Sequence, residues 1–210
     1  MYLPRHFEAP DLQQIHQLIE DHPLGALVTL GPDGLDANHI PFLLDRNDGP
    51  HDRLIAHVAR ANSVWRNACD GAEVLVIFRG EDAYISPNWY PSKQEMHRQV
   101  PTWNYRVAHV HGKLTVRDDE RFVRGVVARL MRKHEAAVNG ERAWKMGDAP
   151  ADYIDGLLAH IIGLEIAITR IEAKWKLGQN RDGRDRASAA QALEDRGERA
   201  IASAMREKKD

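Results

Sequence analysis

The sequence predicts a mainly β protein, an antiparallel barrel of six or seven strands with peripheral helices. Three observations carry that expectation. Strand-like segments follow one another through hairpin connections interrupted only by short helices. They lack the regular βαβ rhythm of a parallel sheet. No G-x-G-x-x-G or P-loop pattern follows any of them. At 210 residues the chain is one domain, or one domain with an appendage, and can bury a sizeable core.

Asp11 is placed to cap a helix carrying Leu12, Ile15, Leu18 and Ile19 at helical spacing, and His22-Pro23 ends it. Residues 24–30 (LGALVTL), the turn 31–34 (GPDG) and residues 35–44 (LDANHIPFLL) read as a β-hairpin. Residues 45–52 form a loop, 53–59 (RLIAHVA) a strand, and 62–70 a short helix with Asn62 as N-cap. EVLVIF (73–78) and DAYIS (82–86) read as a second strand pair around Arg79-Gly80, and a long strand covers 104–116. Asp118 is expected to cap a helix with Phe122, Val123, Val126, Val127 and Leu130 inward. Pro150 stands at the start of another helix, which carries Tyr153, Ile154, Leu157, Leu158 and Ile161. Residues 164–177 form the last long strand. The barrel domain is expected over 1–180. Residues 181–210 form a charged, Ala-rich helical tail, either solvated or packed on a partner subunit.

The net charge of −2 and pI of about 6.6 show no global pull toward nucleic acid or membrane. Residues 170–210 are mildly basic, but acids are interspersed among the cations, so the tail gives DNA binding little support. A single cysteine, Cys69, excludes an intrachain disulfide; it reads as an inert structural thiol and suits a reducing cytoplasm. The N-terminus has no apolar signal region, and no apolar run approaches the roughly 20 residues of a membrane span. A cytoplasmic protein without membrane contact is expected.

Five of the ten Trp and Tyr residues fall within 22 positions: Tyr84, Trp89, Tyr90, Trp103 and Tyr105. Rings beside Ser86, Asn88, Thr102 and Asn104 on a proline-stiffened backbone suit a planar polar ligand, or equally an ordinary core with turns. Strand period two places Trp103 and Tyr105 on one face and Asn104 on the other. In HVARANSVW (57–65), Arg60 beside a helix start capped by Asn62 suits an anion; the alternative is an ordinary capped helix with a surface arginine. Trp65 either flanks a ligand or anchors that helix. In KWKLGQN (174–180), Lys174 and Lys176 share a face, and Gln179 and Asn180 supply amides at what is otherwise a solvated strand end. Among eleven histidines, His109 and His111 share a face while His39 and His57 lie on other strands; no H-E-x-x-H spacing occurs, and no metal site is expected. No Ser-His-Asp order or paired carboxylates indicate a hydrolase.

Taken together, MYLPRHF (1–7), NHIPF (38–42), HVARAN (57–62), YISPNWYPSK (84–93), VPTWNY (100–105), HGKL (111–114) and KWKLGQNR (174–181) resemble the PaiB-like family, described as FMN-binding negative transcriptional regulators. The resemblance runs from residue 1 to about 195. Gly178 departs from it, since the family usually shows Ser before Gln-Asn. The resemblance implies a split β-barrel of the pyridoxamine-phosphate-oxidase type, a two-fold homodimer with FMN at the subunit interface. It implies phosphate at Arg60-Ala61-Asn62 beside Trp65, and the isoalloxazine over the strands near Thr29 and His39. Tyr84, Trp103, Asn104, Tyr105 and Lys176, Gln179 and Asn180 are expected to close the site from the partner subunit. The implied function is negative transcriptional regulation. The alternatives are a flavin-dependent oxidoreductase and, third, a haem-binding barrel with a histidine on the iron. No catalytic residue is assigned.

Overall fold

The computed structural model describes residues 1–46, 52–68 and 70–207. Most of the loop expected at 45–52, the thiol of Cys69 and the last three residues of the tail lie outside them. The elements in chain order are α1 (Leu12–Asp21), β1 (Leu24–Gly31), β2 (Gly34–Pro41), β3 (Leu43–Asp45), β4 (Arg53–Ala59), α2 (Val64–Asn67), β5 (Glu73–Ile85), α3 (Pro91–Met96), β6 (Thr102–Arg117), α4 (Glu120–Asn139), α5 (Ala151–Leu158), β7 (Ile161–Lys176), α6 (Gly183–Asp195) and α7 (Arg199–Arg206). The strands form one seven-stranded sheet in the order β2-β1-β5-β6-β7-β4-β3. The β1–β2, β1–β5, β3–β4 and β4–β7 pairings are antiparallel. The chain divides into two compact units, residues 1–18, 79–109 and 172–210, and residues 19–78 and 110–171.

In the second unit, the expected single strand over 35–44 breaks at Phe42. Its first part stays paired with β1, and its second part pairs with β4 at the opposite edge of the sheet order. One residue joins the two edges, so the sheet there has to curl until they meet. Phe42 fills that seam, its backbone N–H on the Pro23 carbonyl at 2.8 Å and its ring edge-on to Phe78 at 5.8 Å. The core follows strand period two: Val74, Val76 and Phe78 of β5 are buried with Leu27, Leu54, Ile162, Leu164 and Ile166. Helix α4 lays Val126 and Leu130 on Leu43 and Ile55, and Val123 on Ile154 and Leu158 of α5. Tyr153 and Leu157 stay exposed, because only the Ile154–Leu158 stripe of this two-turn helix faces α4. The cap of α4 is Asp119, whose carboxylate accepts the Phe122 N–H at 2.8 Å; Asp118 is committed elsewhere.

In the first unit, the expected turn at Arg79-Gly80 is absent, and β5 runs unbroken for 13 residues. Gly80 serves close approach instead: a Cβ there would lie 2.6 Å from Leu18 Cδ1 of α1. The amino-terminal arm runs along β7, with Glu8 bridging to Lys174 and the Ala9 N–H on the Ala173 carbonyl at 3.1 Å. The tail is better packed than its composition suggested. Ala189, Ala190, Leu193, Ile201, Ala202 and Met205 are buried, since small alanines let α6 and α7 approach closely. Asp185 of α6, 1% exposed, accepts the Ser92 backbone N–H at 3.0 Å and its hydroxyl at 2.5 Å, which ties the tail to the first turn of α3.

Candidate functional site

In the second unit the candidate residues gather where β4 ends. The Arg60 guanidinium is a structural clamp. It forks onto both carboxylate oxygens of Asp118 at 2.9 and 2.5 Å and donates to the carbonyls of Ala159 at 3.1 Å and Ile161 at 3.3 Å. The pair holds the arginine's pKa above, and the carboxyl's below, its ordinary value through that hydrogen bond. Asn62 donates to Asn38 Oδ1 at 2.9 Å and accepts the Val64 N–H at 2.9 Å, but it stands one position before the N-cap, which is Ser63 and not Asn62 as expected. Ala61 is exposed. The helix it was expected to precede shrinks from residues 62–70 to the four residues of α2, too short to build the aligned dipole on which the helix-terminus reading rested.

The turn is anchored from within. Trp65 Nε1 donates to the Arg60 carbonyl at 3.0 Å, and so does Arg66 Nη2 at 3.2 Å, with the Arg66 guanidinium 4.6 Å from the centre of the Trp65 ring. Arg66 is exposed and pairs with no carboxylate among the described residues. The cation at this turn that is open to an anion is therefore Arg66, which sequence reasoning missed.

Thr29 and His39 do not share a surface. The register pairs Thr29 with Asp36 and Ala26 with His39, so the two side chains leave opposite faces of the β1–β2 ladder. Thr29 is buried, whereas His39 stands on the outer face. That face is apolar: Leu24, Ala26, Val28 and Leu30 of β1, Leu35 and Ala37 of β2, and Leu75 and Ile77 of β5. Leu24, Leu30 and Leu35 are 60%, 69% and 78% exposed.

In the first unit, Tyr84 and Trp103 meet edge to face at 6.0 Å, both about half exposed. Asn104 points the other way, as period two predicts; it is buried, with its amide donating to Met205 Sδ of α7 at 3.3 Å. Tyr105 lies between two lysines, 5.7 Å from Lys174 Nζ and 6.0 Å from Lys176 Nζ. Lys176 donates to Thr102 Oγ1 at 2.5 Å and the Trp103 carbonyl at 2.7 Å. Burial, and then the charges of Lys174 and Arg181, push its pKa down. The Gln179 amide is spent locally, donating to the Trp175 carbonyl at 2.5 Å and accepting the Leu177 N–H at 2.8 Å, while Asn180 is exposed. Gly178 has φ of +81°, a left-handed conformation that glycine adopts freely and L side chains rarely do.

The histidines stay dispersed. His111 Nε2 meets Arg170 at 3.1 Å, His57 Nδ1 is buried, and burial lowers the His57 pKa. Among the described residues no three His, Cys, Asp or Glu side chains are grouped to hold a metal, and no helix is long and apolar enough to cross a membrane.

Fold and site define a helix-flanked antiparallel β protein with an apolar outer sheet face and cations left open at one turn and one strand end. The chain belongs to the family described as "Putative FMN-binding domain", whose model matches residues 1–170. It is 29% identical to Protease synthase and sporulation protein PAI 2 of Bacillus subtilis, over 92% of this chain and 89% of that protein. It is 31% identical to an uncharacterised protein of Aspergillus fumigatus, over 92% of this chain and 91% of that one. The structure of the FAD and heme binding protein from Mycobacterium smegmatis is similar in fold, with a TM-score of 0.55 at 18% identity, covering 81% of this chain and 74% of that one.

Proposed function

We propose that the protein binds FMN as a split-barrel homodimer and acts as a negative transcriptional regulator of the PAI 2 type. The observation that carries the flavin reading is Arg66, an exposed guanidinium held at the Arg60–Asn62 turn by Trp65 and by the Arg60 carbonyl. A charged fork of this kind suits a phosphomonoester. Arg60 shapes the turn through Asp118, Asn62 holds it to Asn38, and the exposed Ser63 hydroxyl adds a donor. His39 stands on the apolar outer face, where a flat ring system finds area; Thr29 acts only through the packing beneath. Tyr84, Trp103, Tyr105 and Lys176 close the site from the partner subunit. Bound FMN supplies hydride and one-electron chemistry, while the chain binds, orients and excludes water.

The test is titration of FMN and riboflavin by flavin fluorescence. Arg66→Ala is expected to weaken FMN about tenfold or more and to leave riboflavin within about twofold, because the ligand contact it removes is the charge-assisted one to phosphate, while Trp65 still holds the turn to the Arg60 carbonyl. Equal losses for both flavins, in Arg66→Ala and Arg60→Ala alike, would exclude phosphate from this turn.

The dimer reading rests on the apolar outer face of β1, β2 and β5, which a lone chain leaves in water. Sedimentation velocity is expected to give a dimer that Leu35→Asp converts to monomer, and the wild-type dimer to carry labelled duplex DNA in a salt-dependent manner. A wild-type monomer sinks the interface. A dimer that carries no more DNA than an unrelated acidic protein sinks direct regulation.

A further inference from the structure

We infer that the outer face of the first unit carries a binding site for a flat aromatic anion, a ring bearing a carboxylate or phosphate, formed by Trp103, Tyr105 and Lys176. A cleft of about 350 Å³ is lined by Arg79, Asp82, Trp103, Tyr105 and Val107, a size within the range of small-molecule sites. Trp103 of the cleft remains about half exposed although it is already fixed edge to face against Tyr84, so a flat ring is presented to solvent at low entropic cost. On one rim the charge is cancelled, since Arg79 pairs with Asp82 at 2.6 Å.

At the Tyr105 end it is not cancelled. Lys174, Lys176 and Arg181 form no ion pair among the described residues: Lys174 reaches the Tyr2 carbonyl, Lys176 reaches Thr102 and the Trp103 carbonyl, and Arg181 reaches Gln99. Lys174 is only 8% exposed and is packed near the rings of Tyr2, Phe7 and Tyr105. The cations repel one another, and the lowered Lys176 pKa reports burial first and that repulsion second. An ammonium has three donors, and two of those on Lys176 are used. The third is left for a ligand anion, which would relieve the cluster. The aromatic wall sets the shape of the ligand and the lysine end sets its charge. The proposed function places these same side chains at the edge of the partner's flavin site, so the inference deepens that reading and rests on it: the ring anion binds beside the flavin and not in its place.

The probes are naphthalene-2-carboxylate and the neutral naphthalene-2-carboxamide, titrated calorimetrically into the full chain with and without saturating FMN. The carboxylate is expected to bind about tenfold tighter than the amide. Lys176→Met is expected to erase that preference, while Trp103→Ala weakens both probes. FMN is expected not to displace the carboxylate. Equal affinity for the two probes in the wild-type chain overturns the proposal without any variant, as does a preference that survives Lys176→Met. Displacement by FMN mole for mole would show that the cleft belongs to the flavin itself.

Discussion

Replacing Asp45 by alanine is expected to destabilise the protein by about 3 kcal/mol, the figure typical of removing one partner from a buried ion pair when the other partners are partly solvated. Asp45 is 2% exposed and accepts from Arg53 Nε at 2.9 Å and from Arg129 Nη2 at 2.8 Å. Arg53 continues to Glu165 at 3.3 Å, and Glu165 to Arg117 at 2.9 Å. Without the carboxylate, the Arg53 and Arg129 heads lose their shared counter-charge beside Leu43 and Ile55.

The arginines, Arg129 first, hold the Asp45 pKa below its ordinary value near 3.8, against burial, which raises it. A carboxyl whose pKa is lowered by folding contributes stability above its unfolded pKa and loses it as pH falls through the lower folded value. Urea unfolding should therefore show the wild type losing part of its margin over Asp45→Ala as pH falls below about 4. A pH-independent difference, or one below about 1 kcal/mol at neutral pH, would mean that the arginines are held by solvent and not by Asp45.

Gly112→Ala is expected to cost a similar amount, about 3 kcal/mol, or a fall in Tm of about 6–12 °C for a chain of this size. A Cβ at 112 would lie 2.5 Å from the Ala167 carbonyl oxygen and 2.5 Å from Ile166 Cγ2 on β7. A backbone oxygen within a strand cannot step aside as a side-chain tip can. Gly125→Ala is the control. Nothing lies within 4 Å of a Cβ there, so the same change on α4 should be neutral or stabilising by up to about 1 kcal/mol. Comparable losses at both glycines would show that helix and strand propensities, not the approach of β7, set the cost.

Much of the fold was legible because strand and helix periods are local. The strand at 53–59 is found with its predicted bounds, and α1 begins where Asp11 caps it, with the Gln14 N–H on Asp11 Oδ1 at 2.8 Å. Reading Gly80 as a turn failed because the reason for that glycine, Leu18, lies 62 positions earlier in the sequence. The switch of the chain at Phe42 from one sheet edge to the other left no local mark, since Leu43 and Leu44 continue an apolar run. The opposite facing of Thr29 and His39 follows from hairpin register, with Gly31 paired to Gly34, and the turn itself was visible in the sequence.

By itself the sequence determined the family and the antiparallel character of the sheet, and it marked the 57–65 segment, the 84–105 aromatic run and the strand end at 174–180 as candidates. Only the tertiary structure decided which charges there are free. Arg60 and Asp118 are 58 positions apart in the chain and form a closed pair, while Arg66, six positions from Arg60, remains open. Compensation between charges depends on distance in space, and the folded backbone sets that distance.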